Sequence, residues 1–282
     1  MARPISFRII KYLSRYYLAE WLRYRFCMLF DRPYFGLIHG ATQGNPIKHF
    51  FMDRLLAQEL ASNKREKPFQ LLEIGSWAGG SAVTFARTLK RCAMQGKVFC
   101  VDQWMPYFDL TTHKGSTYDM MENALSRNII FKLFLHNIET SGFQKTIHPL
   151  RGASDEILPI LKQESFDFVF IDGLHSYSQI LRDINNSMHL VRDGGVLCGD
   201  DLDFQLHEVN LEFTESVKEL DYASDPQNGK SYHPGVALAV GETLGKVSCW
   251  HGFWAMRKKG SEWVPVVLDY DEKDISAPDH LI

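Results

Sequence analysis

The stretch FDFVFIDGLHSYSQILRDINNSMHLVRDGGVLCGDD, residues 166–201, constrains the fold more than any other part of the chain. It runs from an apolar segment ending at Asp172, through a helical pattern, to a second apolar segment ending at Gly199, Asp200 and Asp201. A strand, a crossover helix and a second parallel strand bring both strand ends to one rim of a sheet. Ligands of such sheets bind outside the carboxyl ends of the strands. Three carboxylates gathered there repel one another unless they take up protons or hold a cation. The spacing therefore predicts a divalent metal site made by Asp172, Asp200 and Asp201.

The same alternation runs upstream. Strand patterns at 69–75, 97–102 and 145–150 alternate with helical patterns at 48–61, 80–94, 117–138 and 155–162. A charged loop at 63–68 precedes the first strand, and an aromatic loop occupies 103–116. After Asp201 the pattern reads as a helix at 206–220, a polar mobile loop at 221–234, and closing strands at 247–257 and 263–268 joined through Lys258, Lys259 and Gly260. The fold class predicted is α/β: a Rossmann-like, doubly wound, mostly parallel sheet with antiparallel pairing at its end. The first 45 or so residues read as helical up to a breaker at Asp31, Arg32 and Pro33. This divides the chain into a helical extension, 1–47, and a main domain, 48–282.

Composition narrows the partners. A net charge of -3 over 282 residues provides no field favouring nucleic acid. The five cysteines are scattered, with no paired spacing, which fits a reduced, cytoplasmic setting. No apolar run spans a membrane, and charges interrupt every early apolar stretch, so neither a transmembrane segment nor a signal peptide is expected. The N-terminal helix nevertheless mixes Arg8, Lys11, Arg15, Arg23 and Arg25 with Tyr12, Tyr16, Tyr17, Trp21, Tyr24 and Phe26. Such a helix packs on its own domain, packs on a second subunit of a homodimer or higher homo-oligomer, or lies peripherally on a membrane surface.

The turn Glu73-Ile74-Gly75-Ser76-Trp77-Ala78-Gly79-Gly80-Ser81 joins the first strand to its helix. Its glycines permit positive φ and close approach of a ligand, and the helix N-terminus favours an anionic group. The spacing is neither the dinucleotide fingerprint nor a P-loop. Asp102 ends the second strand, where an acid accepts hydrogen bonds from ribose hydroxyls. The alternative is a purely structural left-handed turn with a helix-capping aspartate.

Taken together, the turn, Asp102, Gly152-Ala153-Ser154, Asp172 and Asp200-Asp201 resemble the class I S-adenosylmethionine-dependent methyltransferases over residues 70–202. LLEIGSWAGGSAVTFARTL and GASDEILPIL resemble catechol O-methyltransferase. IDGLHSYSQILRDI and GGVLCGDD are similar to the macrocin- and mycinamicin-type sugar O-methyltransferases, whose core the cephalosporin-hydroxylase-like proteins share. The resemblance implies that Glu73, Gly75, Ser76 and Ser81 surround the methionine part of S-adenosylmethionine. It implies that Asp102 and Gln103 meet the ribose, that Ala153 and Ser154 border the adenine, and that Asp172 also touches the cofactor. It further implies that Asp172, Asp200 and Asp201 ligate Mg²⁺ or a similar ion, with Asp201 where the catechol enzymes carry Asn.

The expected reaction is methyl transfer to a hydroxyl of a small molecule, a sugar or a glycosylated or polyketide natural product with vicinal oxygens. A hard cation on carboxylates binds and acidifies such an oxygen. His175, on the rim with Asp172, accepts the proton near neutral pH, ligates the metal, or caps the loop. Aromatic residues at 103–108 and Tyr232, His233 and Pro234 are candidate acceptor walls, whereas Trp250, Phe253 and Trp254 read as core. The competing readings are a hydroxylase-like enzyme on the same fold and a non-catalytic scaffold at a membrane surface.

Overall fold

The computed structural model describes residues 7–42, 45–62, 67–108, 110–111 and 115–281. The start of the charged loop, 63–66, and the side chains of Arg8, Lys11, Tyr12 and Arg15 lie outside the described set. Helices α1 (Phe7–Leu29) and α2 (Lys48–Ser62) lead into the alternating part of the chain. There β1 (Phe69–Ile74), α3 (Gly80–Arg91), β2 (Gly96–Asp102), α4 (Ser116–Ser126), α5 (Ile129–Thr140), β3 (Ile147–Arg151) and α6 (Ser154–Ile157) follow in order. They are succeeded by β4 (Phe166–Ile171), α7 (Tyr177–Leu190), β5 (Val191–Gly199) and α8 (Leu211–Ser216). The chain closes with β6 (Ala223–Ser224), β7 (Ser231–Tyr232), α9 (Pro234–Leu244), β8 (Ser248–Trp250), β9 (Phe253–Lys259) and β10 (Glu262–Pro265).

The main sheet has the order β10-β9-β5-β4-β1-β2-β3, with β8 paired to β9. Strands β1 to β5 are parallel, and β9 and β10 add antiparallel pairing at one edge. This is the doubly wound sheet expected, with its terminal antiparallel strands. The winding reverses between β1 and β4, which are neighbours. A doubly wound sheet opens a crevice at such a reversal.

Both faces of the central strands are covered. Phe168 and Phe170 of β4 pack into one core layer, and Val169 and Ile171 into the other. The two-residue period explains why this strand reads as an unbroken apolar run.

Several expected elements differ in extent. The helix expected at 117–138 is two helices, because Asn128 adopts φ 55° and turns the chain; a short polar side chain tolerates that conformation better than most. Pro159 shortens the helix expected at 155–162 to α6 and one 3₁₀ turn, Leu158–Ile160. The helix expected at 206–220 survives as a 3₁₀ turn, Leu206–Glu208, and the short α8. The loop expected at 221–234 contains the small β6–β7 hairpin, in which Tyr232 is fully buried. Helix α9 follows it, an element the sequence pattern did not single out, although Pro234 in its first turn and the run Val236 to Val240 are its signal.

The extension does not stop at residue 47 in packing terms. Tyr34, Phe35, Ile38 and Ala41 are buried in the main core. Asn137, fully buried in α5, clips this segment: its amide accepts from Tyr34 N at 2.7 Å and donates to Tyr34 O and Ala78 O, both at 2.9 Å. Upstream, Tyr17, Leu18, Trp21, Leu22 and Phe26 of α1 are exposed, whereas Tyr24, Cys27 and Met28 pack on the core. No helix among the described residues is long and apolar enough to cross a membrane.

Candidate active site

The strand ends are tied together beyond the last ladder pairs. Gly75 N donates to Val101 O (2.9 Å), Asp172 N to Ile74 O (2.8 Å), Gly152 N to Asp102 O (3.0 Å) and Asp200 N to Ile171 O (3.1 Å). These bonds hold the first residues after β1, β3, β4 and β5 on one rim. A cavity of about 550 Å³ opens there, a size usual for cofactor and small-molecule sites. Its wall includes Gly75, Asp102, Gln103, Ala153, Ser154 and Asp172, and continues to His175, Asp200 and Asp201.

Gly75 has a structural obligation. Its φ is +83°, and a Cβ there would lie 1.9 Å from the carbonyl oxygen of Asp172. Only glycine lets β1 leave the sheet that close to β4. Beneath the turn, Glu73 is fully buried, accepts from Ser76 Oγ at 2.6 Å and Cys100 Sγ at 3.2 Å, and is pushed up in pKa by burial. Glu73, Ser76 and Ser81 are buried and do not form the cavity wall. Glu73 and Ser76 are linked to each other beneath the turn.

Asp102 accepts from Trp104 N at 2.7 Å through one oxygen and from Trp77 N at 2.9 Å through the other. Burial raises its pKa against these backbone donors. A carboxylate has about four acceptor directions, so acceptor capacity remains for a ribose hydroxyl. Past β3, Gln179 donates to Ser154 Oγ and to Asp183 Oδ1, each at 3.1 Å. Asp183 is buried on the cavity wall, and burial lifts its pKa to about 6. The sequence reading missed it; its signal is an acid inside the stripe Ile180, Ile184 and Leu190 of α7.

The acidic end differs from expectation. Lys48, the first residue of α2, places its Nζ 2.8 Å from Asp200 Oδ1 and 2.6 Å from Asp201 Oδ1. Burial would lower the pKa of this ammonium, but the two carboxylates outweigh it and hold it charged. His175 lies between two acids, with Nε2 3.0 Å from Asp201 Oδ2 and Nδ1 2.6 Å from Asp221 Oδ1. Tyr118 donates to the second oxygen of Asp221. Burial lowers the His175 pKa, yet the hydrogen bonds and charges of Asp201 and Asp221 lift it well above its ordinary value. These two acids favour the protonated ring, so His175 gives up its proton less readily than an ordinary imidazole. Asp221 is held down to about 2 by His175 against the effect of burial, and Asp172 is raised by burial and by Asp200 and Asp201.

These partners test the metal expected at Asp172, Asp200 and Asp201. Ligand atoms of Asp172, His175 and Asp201 do come within 4.8 Å of one another, as do those of His175, Asp221 and His233. Asp200 belongs to neither group. Both oxygens of Asp201 are already engaged, by Lys48 and by His175. A divalent ion bound by Asp200 and Asp201 would have to displace the Lys48 ammonium from both carboxylates, so the three-carboxylate site does not fit this arrangement.

Gln103 and Tyr107 of the aromatic loop reach the cavity, whereas Trp104 is fully buried and donates to Trp77 O at 2.8 Å. Tyr232 is buried away from the cavity, which removes it as an acceptor wall. His233 stacks edge-on to His175 with ring centroids 4.5 Å apart. Phe253 and Trp254 are core, as read.

Residues 72–202 match a family model described as Methyltransferase domain. No curated protein matches the sequence significantly. Among solved structures the chain is similar to the O-methyltransferase NovP, with 16% identity and a TM-score of 0.50 over 75% of this chain and 80% of that one. It also aligns with TomG, an O-methyltransferase of Streptomyces achromogenes involved in tomaymycin synthesis, with 17% identity and a TM-score of 0.44 over 83% and 86% of the two chains. The likeness to NovP is one of fold.

Proposed function

We propose that this chain, whose residues 72–202 match a family model described as Methyltransferase domain, moves a methyl group from S-adenosylmethionine to a hydroxyl of a small molecule. A sugar or glycosylated natural product is the acceptor class we favour. The observation that supports the reading is the single cavity joining Gly75, Asp102 and Ser154 to His175 and Asp201.

Gly75 and the start of α3 would receive the amino-acid end of the cofactor, Asp102 the ribose, and Ala153, Ser154 and Asp183 the adenine. Asp183 supplies a buried carboxylate acceptor on the cavity wall. When bound, the cofactor supplies an electrophilic methyl group: its C–S bond breaks as the new C–O bond forms, and the sulfonium leaves as a neutral thioether. His175 takes the hydroxyl proton at Nε2 once it has lost its own. Asp221 orients the ring through Nδ1, and Asp201 and Asp221 together stabilise the imidazolium formed.

Binding of S-adenosylmethionine by titration calorimetry, followed by labelled methyl transfer to a panel of sugars, catechols and macrolides, tests the reading. Absence of cofactor binding sinks it. Oxygen consumption without methyl transfer would favour the hydroxylase-like alternative instead.

The same proposal includes a peripheral site for α1 on an anionic membrane surface. Its segment contains Arg8, Lys11, Arg15, Arg23 and Arg25 against the single acid Glu20. Glu20 is itself engaged, accepting from Tyr34 OH at 3.0 Å and Leu37 N at 3.3 Å. Exposed Trp21, Leu22 and Phe26 supply the apolar contact.

A further inference from the structure

We infer that Lys48 is the resident cation of the acidic rim, standing where a divalent metal was expected, and that this site works without a metal ion. The inference rests on the methyltransferase reading for its chemistry and on the geometry of Lys48 for its substance.

The carboxylates of Asp200 and Asp201 converge on one ammonium, at 2.8 and 2.6 Å. The contact joins α2 to the end of β5 across 153 residues of sequence. Three features build it. The turn before α2, with Lys48 N donating to Asn45 O at 3.1 Å, starts the helix beside the rim. Gly252, in the bend between β8 and β9, leaves room for the lysine stem: a Cβ there would meet Lys48 Cε at 3.2 Å. Asp201 adopts φ 60°, a left-handed conformation uncommon for an acid, while its N–H donates to Asp200 Oδ1 at 2.8 Å. The backbone is bent so that both carboxylates face the same point.

Lys48 is buried, and a buried ammonium without partners is strongly disfavoured. The acids and the lysine therefore require one another. With His175 on the outer oxygen of Asp201, every oxygen of Asp201 already has a partner from the chain itself. An ammonium has three donors, and two are spent on carboxylates. The third is available to the acceptor oxygen, since Lys48 forms part of the cavity wall. Lys48 thus fixes the two aspartates and offers one N–H to the oxygen that is to be methylated.

The test is titration of the metal-free full-length protein with Mn²⁺, followed by the free-ion EPR signal, on the wild type, Lys48→Met and Lys48→Arg. The wild type and Lys48→Arg are expected to take up no Mn²⁺ below millimolar concentration. Lys48→Met, freed of the ammonium, is expected to bind Mn²⁺ at least about tenfold more tightly than the wild type. Micromolar Mn²⁺ binding by the wild type that is lost in Asp201→Asn overturns the inference, whether or not Lys48→Met folds. A folded Lys48→Met that gains no site overturns it as well. S-adenosylmethionine calorimetry on the same samples keeps the two readings apart: failure of cofactor binding removes the methyltransferase reading and leaves the Mn²⁺ result to judge the lysine.

Discussion

His175 Nδ1 lies 2.6 Å from Asp221 Oδ1, although 46 residues separate them. The contact gives the imidazole a second carboxylate partner and fixes its orientation. An imidazolium cannot accept a proton, so methyl transfer should rise with pH as His175 deprotonates, well above the ordinary histidine range. Asp221→Asn removes one of the two charges that hold the proton on the ring. The ascending limb of the pH–rate profile should then move to lower pH, with a lower plateau as orientation is lost. An unchanged limb would dissociate Asp221 from the base.

Cofactor binding should depend on Asp102 and Asp183 independently of the acidic rim. Asp102→Ala should weaken S-adenosylmethionine binding by about 2 kcal/mol, roughly thirtyfold, as expected for hydrogen bonds to a charged acceptor. Part of that loss comes from Trp77 N and Trp104 N, which would lose their acceptor. Asp183→Asn keeps an acceptor oxygen and should cost less. Calorimetry at constant pH checks both.

Gly75→Ala should cost about 3 kcal/mol or more in stability, because the residue is left-handed and its new Cβ would overlap the carbonyl of Asp172. The expected result is a large drop in melting temperature together with loss of cofactor binding. A stable Gly75→Ala protein would mean that β1 and β4 separate at the rim more easily than their hydrogen bonds imply.

Asn137→Leu should destabilise the whole protein by about 3 kcal/mol, since it strands Tyr34 N, Tyr34 O and Ala78 O in the core. Denaturant unfolding should stay a single transition if 34–42 and the sheet fold as one unit. A separate early transition would show that the segment comes away alone.

The exposed face of α1 should bind vesicles containing anionic lipid and release them as salt rises. Deleting residues 1–22, or Trp21→Glu, should abolish co-sedimentation. A concentration-dependent dimer in place of vesicle binding would instead assign the face to a second copy of the chain.

Much of the frame was legible in the residues. The apolar runs at β1, β4 and β5 are strands buried on both faces, and Gly75, Asp102, Asp172 and Asp200 follow from their position at strand ends. Boundaries were less legible where single residues intervene, as at Asn128 and Pro159, since helical periodicity continues across them. Asp183 had a signal in the helix stripe. Asp221 had none, because a polar loop residue shows nothing of the ring it will face.

What the sequence determined by itself is the ordering of strands and helices and hence the rim on which the acids stand, because local periodicity and the handedness of crossovers leave little choice. What only the tertiary structure decided is the charge on that rim. Lys48 comes from a helix 153 residues upstream of Asp201, and Asp221 from a loop beyond the parallel strands. Whether three carboxylates hold a metal, a proton or an ammonium depends on which cation the packing brings within hydrogen-bonding distance, and that contact lies outside any local pattern.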